Sequence, residues 1–168
     1  RFTDMFSTLS YSNIQLARSM AEQQRVAAAL RESEDRYHSL FANSMDAVLL
    51  TTPTGGILAA NPEAQRLLGY SEAELQRIGR QGIVDTTDPR LAAMLAQRAR
   101  DGRFRGELTF ITQKGRKFPA EISSLVFTRQ DGQQMTSMVF RDITERQRTE
   151  AALKHSEAQY RAIIETSP

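Results

Sequence analysis

The sequence contains no cysteine and no tryptophan, and it has only two histidines. The lack of cysteine excludes disulfides, thiolate metal ligands and cysteine nucleophiles. His38 and His155 are far apart in the sequence, and we interpret both as solvated helix residues rather than as a pair of metal ligands. The sequence therefore predicts no metal site.

Long apolar runs are also lacking. None reaches the roughly 18 residues that a membrane span needs, and no signal peptide is visible. The net charge is only +2, which is too small an excess to indicate a nucleic-acid partner. Because the first residue is Arg1 and not Met, we expect a fragment of a longer protein. We expect this part to be cytoplasmic, with no membrane contact of its own, even if the whole protein is anchored elsewhere.

The first 40 residues contain neither proline nor glycine, and an almost regular apolar row recurs every seven residues. The row is Phe2, Leu9, Leu16, Gln23, Leu30 and Tyr37. This spacing predicts a linker helix over residues 1–40 with an imperfect coiled-coil seam. An amphipathic helix that docks on its own domain is the alternative. In the coiled-coil reading, Leu9, Leu16 and Leu30 belong to a dimer interface.

Residues 41–144 differ in character and form the predicted central domain. Short apolar runs predict strands over 48–51, 57–60, 105–112, 116–128 and 133–142, with Gly115 and Gly132 in two hairpin turns. Helix starts are indicated at Pro62 after an Asn61 cap, at the capping box of Ser71 and Glu74, and after Asp88-Pro89. Two strands, several helices and three strands indicate an α+β domain with an antiparallel sheet.

A second helix is predicted over residues 145–168. Asp142-Ile143-Thr144-Glu145 has the spacing of a capping box, with Asp142 in the cap position. The segment also repeats an earlier one, because residues 22–45 align with 145–168 at an offset of 123 and ten of the 24 pairs are identical. The repeat indicates a tandem array in which this linker helix leads into a second, similar domain.

Several motifs of the central domain resemble those of PAS domains of the sensory-box type. They are Asp46-Ala47-Val48, Asn61-Pro62-Glu63-Ala64, Leu68-Gly69-Tyr70-Ser71, Lys114 to Glu121, and Arg141-Asp142-Ile143-Thr144-Glu145-Arg146. Their order and spacing are more specific than any single piece. The resemblance implies a PAS fold, with a five-stranded antiparallel sheet, short helices on one face and a linker helix on each side.

The resemblance also implies a sensory or dimerisation role within a bacterial sensor histidine kinase, diguanylate cyclase or phosphodiesterase. We expect a module that binds a small molecule or mediates dimerisation and relays a signal through its flanking helices. A purely structural dimerisation spacer with a filled core is the alternative. The interior offers no nucleophile–base pair and no phosphate loop, so we expect no catalysis in this fragment. The expected partners are a second copy and neighbouring PAS and output domains of the same chain.

No cofactor is predicted. Photosensory relatives bond flavin through a cysteine, and oxygen-sensing relatives bind haem through a histidine on the long helix. This chain has no cysteine, and no histidine lies between Ser39 and Lys154. Haem and cysteinyl flavin are therefore disfavoured, whereas an unknown small ligand stays open.

Strand alternation and the family fold predict which residues face the helices. The candidates for a ligand pocket are Leu49, Leu68, Ile78, Ile83, Met94, Leu95, Leu108, Phe110, Ile122, Ser124, Met138 and Phe140. The alternative is that these side chains fill a core and leave no room for a ligand. No charged residue alternates onto this face, which disfavours a carboxylate ligand anchored by the sheet, but an arginine from the helices such as Arg98 stays open.

The opposite face of the sheet is too apolar to lie bare in water. It carries Ile111, Leu125, Phe127 and Val139, which we expect at a homodimer interface. Asp142 and Thr144 lie where the last strand passes into the second helix. The family resemblance implies that these two residues relay the signal.

Overall fold

A computed structural model describes residues 2–167 of the chain. The chain divides into two compact units, residues 1–43 and residues 44–168. The described part of the first unit is dominated by one helix, α1, Phe2–Ala42. Its side chains are exposed from Phe2 to Leu40, including Leu9, Leu16 and Leu30 on the heptad row. The helix is confirmed, and its pairing in a coiled coil stays a prediction.

The second unit contains five strands and four α-helices among its described residues. In chain order these are β1 Ala47–Thr51, β2 Ile57–Ala60, α2 Pro62–Leu68, α3 Glu72–Ile78, α4 Arg90–Asp101, β3 Arg103–Ile111, β4 Lys117–Thr128, β5 Gln134–Asp142 and α5 Thr144–Glu165. A 3₁₀ turn, Arg80–Gly82, follows α3. The strands agree with the sequence-based bounds to within two residues at each end.

The five strands form one sheet in the order β2-β1-β5-β4-β3, and all neighbours are antiparallel. The predicted α+β class and the five-stranded antiparallel sheet are confirmed. β5 lies at the centre, so that Phe140 is opposite Ala47 on β1 and Ile122 on β4.

Local sequence signals account for the starts of the short helices. The Asn61 carboxamide oxygen accepts the N–H of Ala64 at 3.0 Å and that of Val48 at 2.8 Å, so that it both caps α2 and ties it to β1. The capping box of Ser71 and Glu74 at the start of α3 is present as predicted. Such caps satisfy N–H groups that the first helical turn leaves unpaired.

The core lies between the inner face of the sheet and the short helices. The Phe110 ring stacks on that of Phe140 with centroids 4.5 Å apart, and on that of Phe118 at 5.9 Å. All three rings are at most 1% exposed. Full burial of side chains of this size is a major source of stability in a domain.

The segment between the 3₁₀ turn and α4 lies along the free edge of β3, which the sequence did not predict. Val84 forms an isolated bridge to Phe110, and the Asp85 N–H donates to the Thr109 carbonyl at 2.9 Å. Asp88 accepts the N–H of Thr109 at 2.9 Å. The segment therefore covers the polar backbone of an edge strand.

Two carboxylates fasten this segment. Asp88 accepts two hydrogen bonds from the Arg90 guanidinium, the shorter at 2.7 Å, and its side chain is 4% exposed. These Arg90 contacts hold the pKa of Asp88 well below its usual range. The Asp85 carboxylate accepts from Lys117 Nζ at 2.7 Å and from Thr87, and these bonds lower its pKa to about 2.

One prediction about helix starts is wrong. α5 begins at Thr144, its cap position is Ile143, and no side chain caps it from there. Asp142 lies one residue further out and accepts the N–H and the hydroxyl of Thr144. Glu145 pairs with Arg148 at 3.4 Å instead of completing a capping box. The backbone of Asp142 is still paired with Ala120 in the β5 ladder, and the helix starts one residue later than the predicted cap requires.

Removal of the Asp88 carboxylate should destabilise the domain. We expect Asp88→Ala to lower the free energy of unfolding by about 1–3 kcal/mol at pH 7, because the N–H of half-buried Thr109 and the Arg90 guanidinium lose their acceptor. Carboxylates whose folded pKa is lowered add stability above about pH 4, and they lose it as the pH falls towards the folded pKa. Stability of the unaltered chain should therefore fall between about pH 4 and pH 2, and that of Asp88→Ala should fall less.

Urea unfolding across this pH range measures both effects. Glu150→Ala, which removes an exposed carboxylate from α5, serves as the control and should leave the pH dependence unchanged. An Asp88→Ala chain with unaltered stability at pH 7 would contradict the proposed role of this carboxylate.

Candidate functional site

The predicted pocket residues converge on the inner side of the sheet. Those buried together in the hydrophobic core are Leu49, Leu68, Ile83, Met94, Leu108, Phe110, Ile122, Met138 and Phe140. Ile78 and Leu95 are partly buried and pack against the same cluster, and Ser124 is 2% exposed. The structure thus brings these residues together, and whether they surround a ligand stays a prediction.

Two hydroxyl groups on the inner face have no hydrogen-bond partner in the described residues. They are Ser124 Oγ and Thr136 Oγ1, and both side chains are at most 2% exposed. They lie on neighbouring strands, where Ser124 is opposite Met138 and Thr136 is opposite Val126. Buried polar groups are normally paired, so this part of the inner face has unused hydrogen-bonding capacity.

A cavity of about 340 Å³ opens at the end of the inner face that is nearest the β4–β5 turn. Its walls include the side chains of Arg80, Leu95, Arg98, Ala99, Val126 and Gln134. Leu95 is the predicted pocket residue that lines it, and Val126 and Gln134 share the inner face of the sheet with Thr136 by strand alternation. Apolar walls with a few polar groups are typical of small-molecule sites.

Two arginines supply the charge of this cavity. Arg98 on α4 is 5% exposed, and its Nη2 donates to the Pro53 carbonyl at 3.1 Å. Arg80 in the 3₁₀ turn is half-buried, and its Nη2 donates to the Thr54 carbonyl at 3.4 Å. Arg98 was left open at the sequence level, whereas Arg80 was missed. Only the fold brings Arg80 next to α4, since the two arginines are separated by a loop and most of a helix.

A second functional region is the junction between β5 and α5. Phe140 on β5 belongs to the core, and three residues later Ile143 is again 1% exposed, with its N–H donating to the Pro119 carbonyl at 3.0 Å. The start of α5 is thereby anchored to β4 and to the domain interior. Sequence analysis missed this anchor, because the contact of Ile143 with β4 depends on strand pairing that no local pattern records.

Polar contacts fix the same junction. Burial raises the pKa of Asp142, but hydrogen bonds from the Thr144 hydroxyl, the Thr144 N–H and Arg116 outweigh it, so that the pKa lies below its usual value. Arg141 makes a two-pronged ion pair with Asp46, at 2.7 and 2.9 Å, which joins the end of β5 to the residue before β1.

The first turn of α5 also reaches the outer face of the sheet. The Arg146 guanidinium lies 3.8 Å from the Glu107 carboxylate and 3.7 Å from that of Glu121. The two ion pairs are long and their side chains are exposed, so each pair contributes little stability. Beyond Thr144 the described residues of α5 are exposed.

The predicted dimer residues of the outer face differ in exposure. Leu125 is 54% and Phe127 is 38% exposed, whereas Ile111 and Val139 are half-buried. Met135 on the same face is only 6% exposed and lies outside the core cluster. The exposed part of this apolar face is therefore the half around Leu125 and Phe127.

The geometry can be compared with known families. A family model described as a PAS domain matches residues 45–145, which is more than half of the chain. The chain belongs to the PAS domain family. The matched range ends at Glu145, so that the junction just described is the C-terminal edge of the PAS domain.

Two curated relatives of this PAS domain are named as kinases. The chain is 28% identical to sporulation kinase E of Bacillus subtilis over 156 residues, which cover 93% of this chain and 21% of that protein. It is 26% identical to the sensor histidine kinase TmoS of Ectopseudomonas mendocina over 155 residues, or 90% of this chain and 16% of that protein. The chain thus spans about a fifth of these relatives.

Solved structures show the same fold. The PAS domain of an HTR-like protein from Haloarcula marismortui is 25% identical, with a TM-score of 0.58, and the match covers 71% of this chain and 99% of that one. A domain of the sensory box sensor histidine kinase/response regulator from Geobacter sulfurreducens is 24% identical, with a TM-score of 0.54, over 67% of this chain and 96% of that one.

Together these comparisons identify a PAS sensory domain of the kind found in sensor histidine kinases. Residues 2–167 consist of this domain and the long helices at its two ends. None of the helices in that range is both long and apolar enough to cross a membrane.

Proposed function

We propose that this PAS domain binds a small molecule on the inner side of its sheet and relays the binding event through β5 into α5. The observation that carries the proposal is the continuity between core and helix. Phe140 lies in the core, and Asp142, Ile143 and Thr144 fasten the start of α5 within the next four residues. A ligand that repacks the core displaces β5, and that displacement changes the direction in which α5 leaves the domain.

We further propose that α5 passes the change to further domains of a longer, cytoplasmic signalling protein. Two of the relatives are kinases by name, one of them a sensor histidine kinase, which favours a kinase output, and a cyclic-di-GMP enzyme is the alternative output. The internal repeat supports a tandem arrangement with a second PAS domain. The helix ends at Ala42 and Glu165 are separated by the same offset of 123 that relates the repeated sequences.

A structural spacer is the second candidate function. The stacked rings of Phe110, Phe118 and Phe140 fill the middle of the inner chamber and favour it. In this case the domain pairs two chains and holds α1 and α5 without a ligand. Under both candidates haem and cysteine-linked flavin stay disfavoured, since the chain has no cysteine and no histidine between Ser39 and Lys154.

The relay is tested with Asp142→Ala in the whole signalling protein, measured by its output activity with and without stimulus. The change removes the acceptor for the Thr144 N–H and costs about 0.5–1.5 kcal/mol of stability. We expect the output to become largely independent of the stimulus while the domain stays folded, because the start of α5 loses its polar attachment to the end of β5 and keeps only the Ile143 anchor.

Asp131→Ala is the matched control. Asp131 accepts the N–H of Gln133 two residues on, at 3.0 Å, as Asp142 does for Thr144 at 2.8 Å, but it lies at the opposite end of β5. This variant should respond normally. A normal stimulus response of folded Asp142→Ala would refute the relay and leave Asp142 with a purely stabilising role.

Dimerisation stays a proposal, and it has two predicted surfaces: the heptad row of α1, with Leu9, Leu16 and Leu30, and the outer sheet face, with Leu125 and Phe127. We expect Leu16→Glu and Phe127→Glu each to shift the chain towards monomer in sedimentation velocity, because a buried charge opposes pairing of apolar surfaces. Thr128→Glu, on the opposite face of the same strand, should leave the assembly unchanged. A monomeric unaltered chain at tens of micromolar would contradict the proposal.

A further inference from the structure

Two guanidinium groups without an anionic partner line one cavity. Arg80 and Arg98 both lie at the cavity of about 340 Å³, and neither forms an ion pair with any carboxylate in the described range 2–167. The other buried charges of the domain are paired, as Asp85 is with Lys117 and Asp88 with Arg90. Arg98 is therefore an exception, since it is 5% exposed and is charged at any physiological pH.

The backbone satisfies these arginines only in part. Each donates through Nη2 to one carbonyl of the β1–β2 turn, Arg98 to Pro53 and Arg80 to Thr54. A guanidinium has five N–H donors in a planar fork, so most of them have no acceptor among residues 2–167. Burial lowers the pKa of both groups, and the charge of Arg80 lowers that of Arg98 further, which indicates two like charges close together. An uncompensated buried charge is costly unless an anion joins it.

The turn around Gly55 is shaped to hold Arg80 in place. Gly55 has φ +107°, and a Cβ at this position would lie 3.0 Å from Arg80 Cζ. The Arg80 N–H donates to the Gly55 carbonyl at 2.8 Å. The positive φ favours glycine at this position, and the absence of a Cβ lets the guanidinium lie close against the turn.

The remaining walls indicate the body of the ligand. Leu95, Ala99 and Val126 are apolar, and Gln134 adds one amide group. A cavity of this size fits a ligand of a few carbon atoms, at the lower end of the range for small-molecule sites. An inorganic oxyanion would leave the apolar wall without a contact.

We propose that this cavity binds a small organic carboxylate, with the carboxylate between the guanidinium groups of Arg80 and Arg98 and the hydrocarbon part against Leu95 and Val126. The fork of an arginine matches a carboxylate in a two-pronged arrangement, and such charge-assisted bonds are the stronger class of hydrogen bond. The inference rests on the proposed sensory function and names the class of ligand that the domain senses. The sheet itself contributes no charge, and the helices and the turn supply the anchor.

The rival interpretation is that both arginines only fasten the β1–β2 turn. It predicts stability effects on substitution but no ligand dependence. Binding experiments with matched charged and neutral compounds therefore separate the two.

The experiment uses the full chain and two readouts, the melting temperature and the methyl NMR signals of Leu95 and Val126. The probes are sodium pentanoate, benzoate and glutarate, with neutral pentanamide and sodium phosphate and sulfate compared at equal ionic strength. We expect at least one of the three carboxylates to raise the melting temperature and shift both methyl signals saturably, whereas pentanamide, phosphate and sulfate do neither. Arg80→Gln and Arg98→Gln should weaken binding about tenfold or more, and Arg77→Gln, an exposed residue of α3, should not.

Three results would overturn the proposal: no saturable shift with any carboxylate, equal binding of pentanamide and pentanoate, or binding confined to phosphate and sulfate. The comparison of pentanoate with pentanamide needs no variant, so it stays decisive if Arg98→Gln fails to fold. The underlying sensory function fails separately. Carboxylate binding that leaves the output of the whole protein unchanged would refute the relay and keep the site. An output that responds to an uncharged ligand, in a chain that binds no carboxylate, would support the relay and refute the site.

Discussion

Strand β5 is hydrogen-bonded along both edges, to β1 on one side and to β4 on the other, and it runs directly into α5. The last strand in the sequence is thus the central strand of the sheet. Its Phe140 stacks on Phe110 in the core and lies opposite residues of both neighbouring strands. Because a close-packed interior transmits small displacements, a change in the core reaches β5 and the helix that follows it.

The direction of α5 depends on a few contacts at its first turn, since the rest of the described helix is exposed. Ile143 supplies an apolar anchor, and Asp142 and Arg146 supply polar ones. The anchor is strong because it is fully buried, whereas the Arg146 pairs are exposed and screened by salt. A helix fixed firmly at one end and free along its length is suited to convert a small strand movement into a larger displacement at its far end.

Local signals made most of the fold predictable. The caps at Asn61 and Ser71, the glycine turns and the alternation along the strands depend on neighbours in the sequence, and the structure has them where they were expected. The contacts of Asp142 and of the two cavity arginines depend on strands and turns that are distant in the sequence, so local patterns did not predict them. Arg80 and the Gly55 turn are separated in the sequence by β2, α2 and α3, and only the folded domain brings them together. The spacing of apolar residues therefore does not predict this contact.

Native-state hydrogen exchange of the amide groups at residues 147–149 tests the coupling between core and helix most directly. The account predicts that Phe140→Leu speeds exchange at these amides more than it speeds global exchange, because loosened packing at β5 frees the start of α5. Leu75→Ala, a core change on α3 away from β5, should speed only the global exchange. Equal effects of the two substitutions on these amides would contradict the claim that β5 controls the orientation of α5.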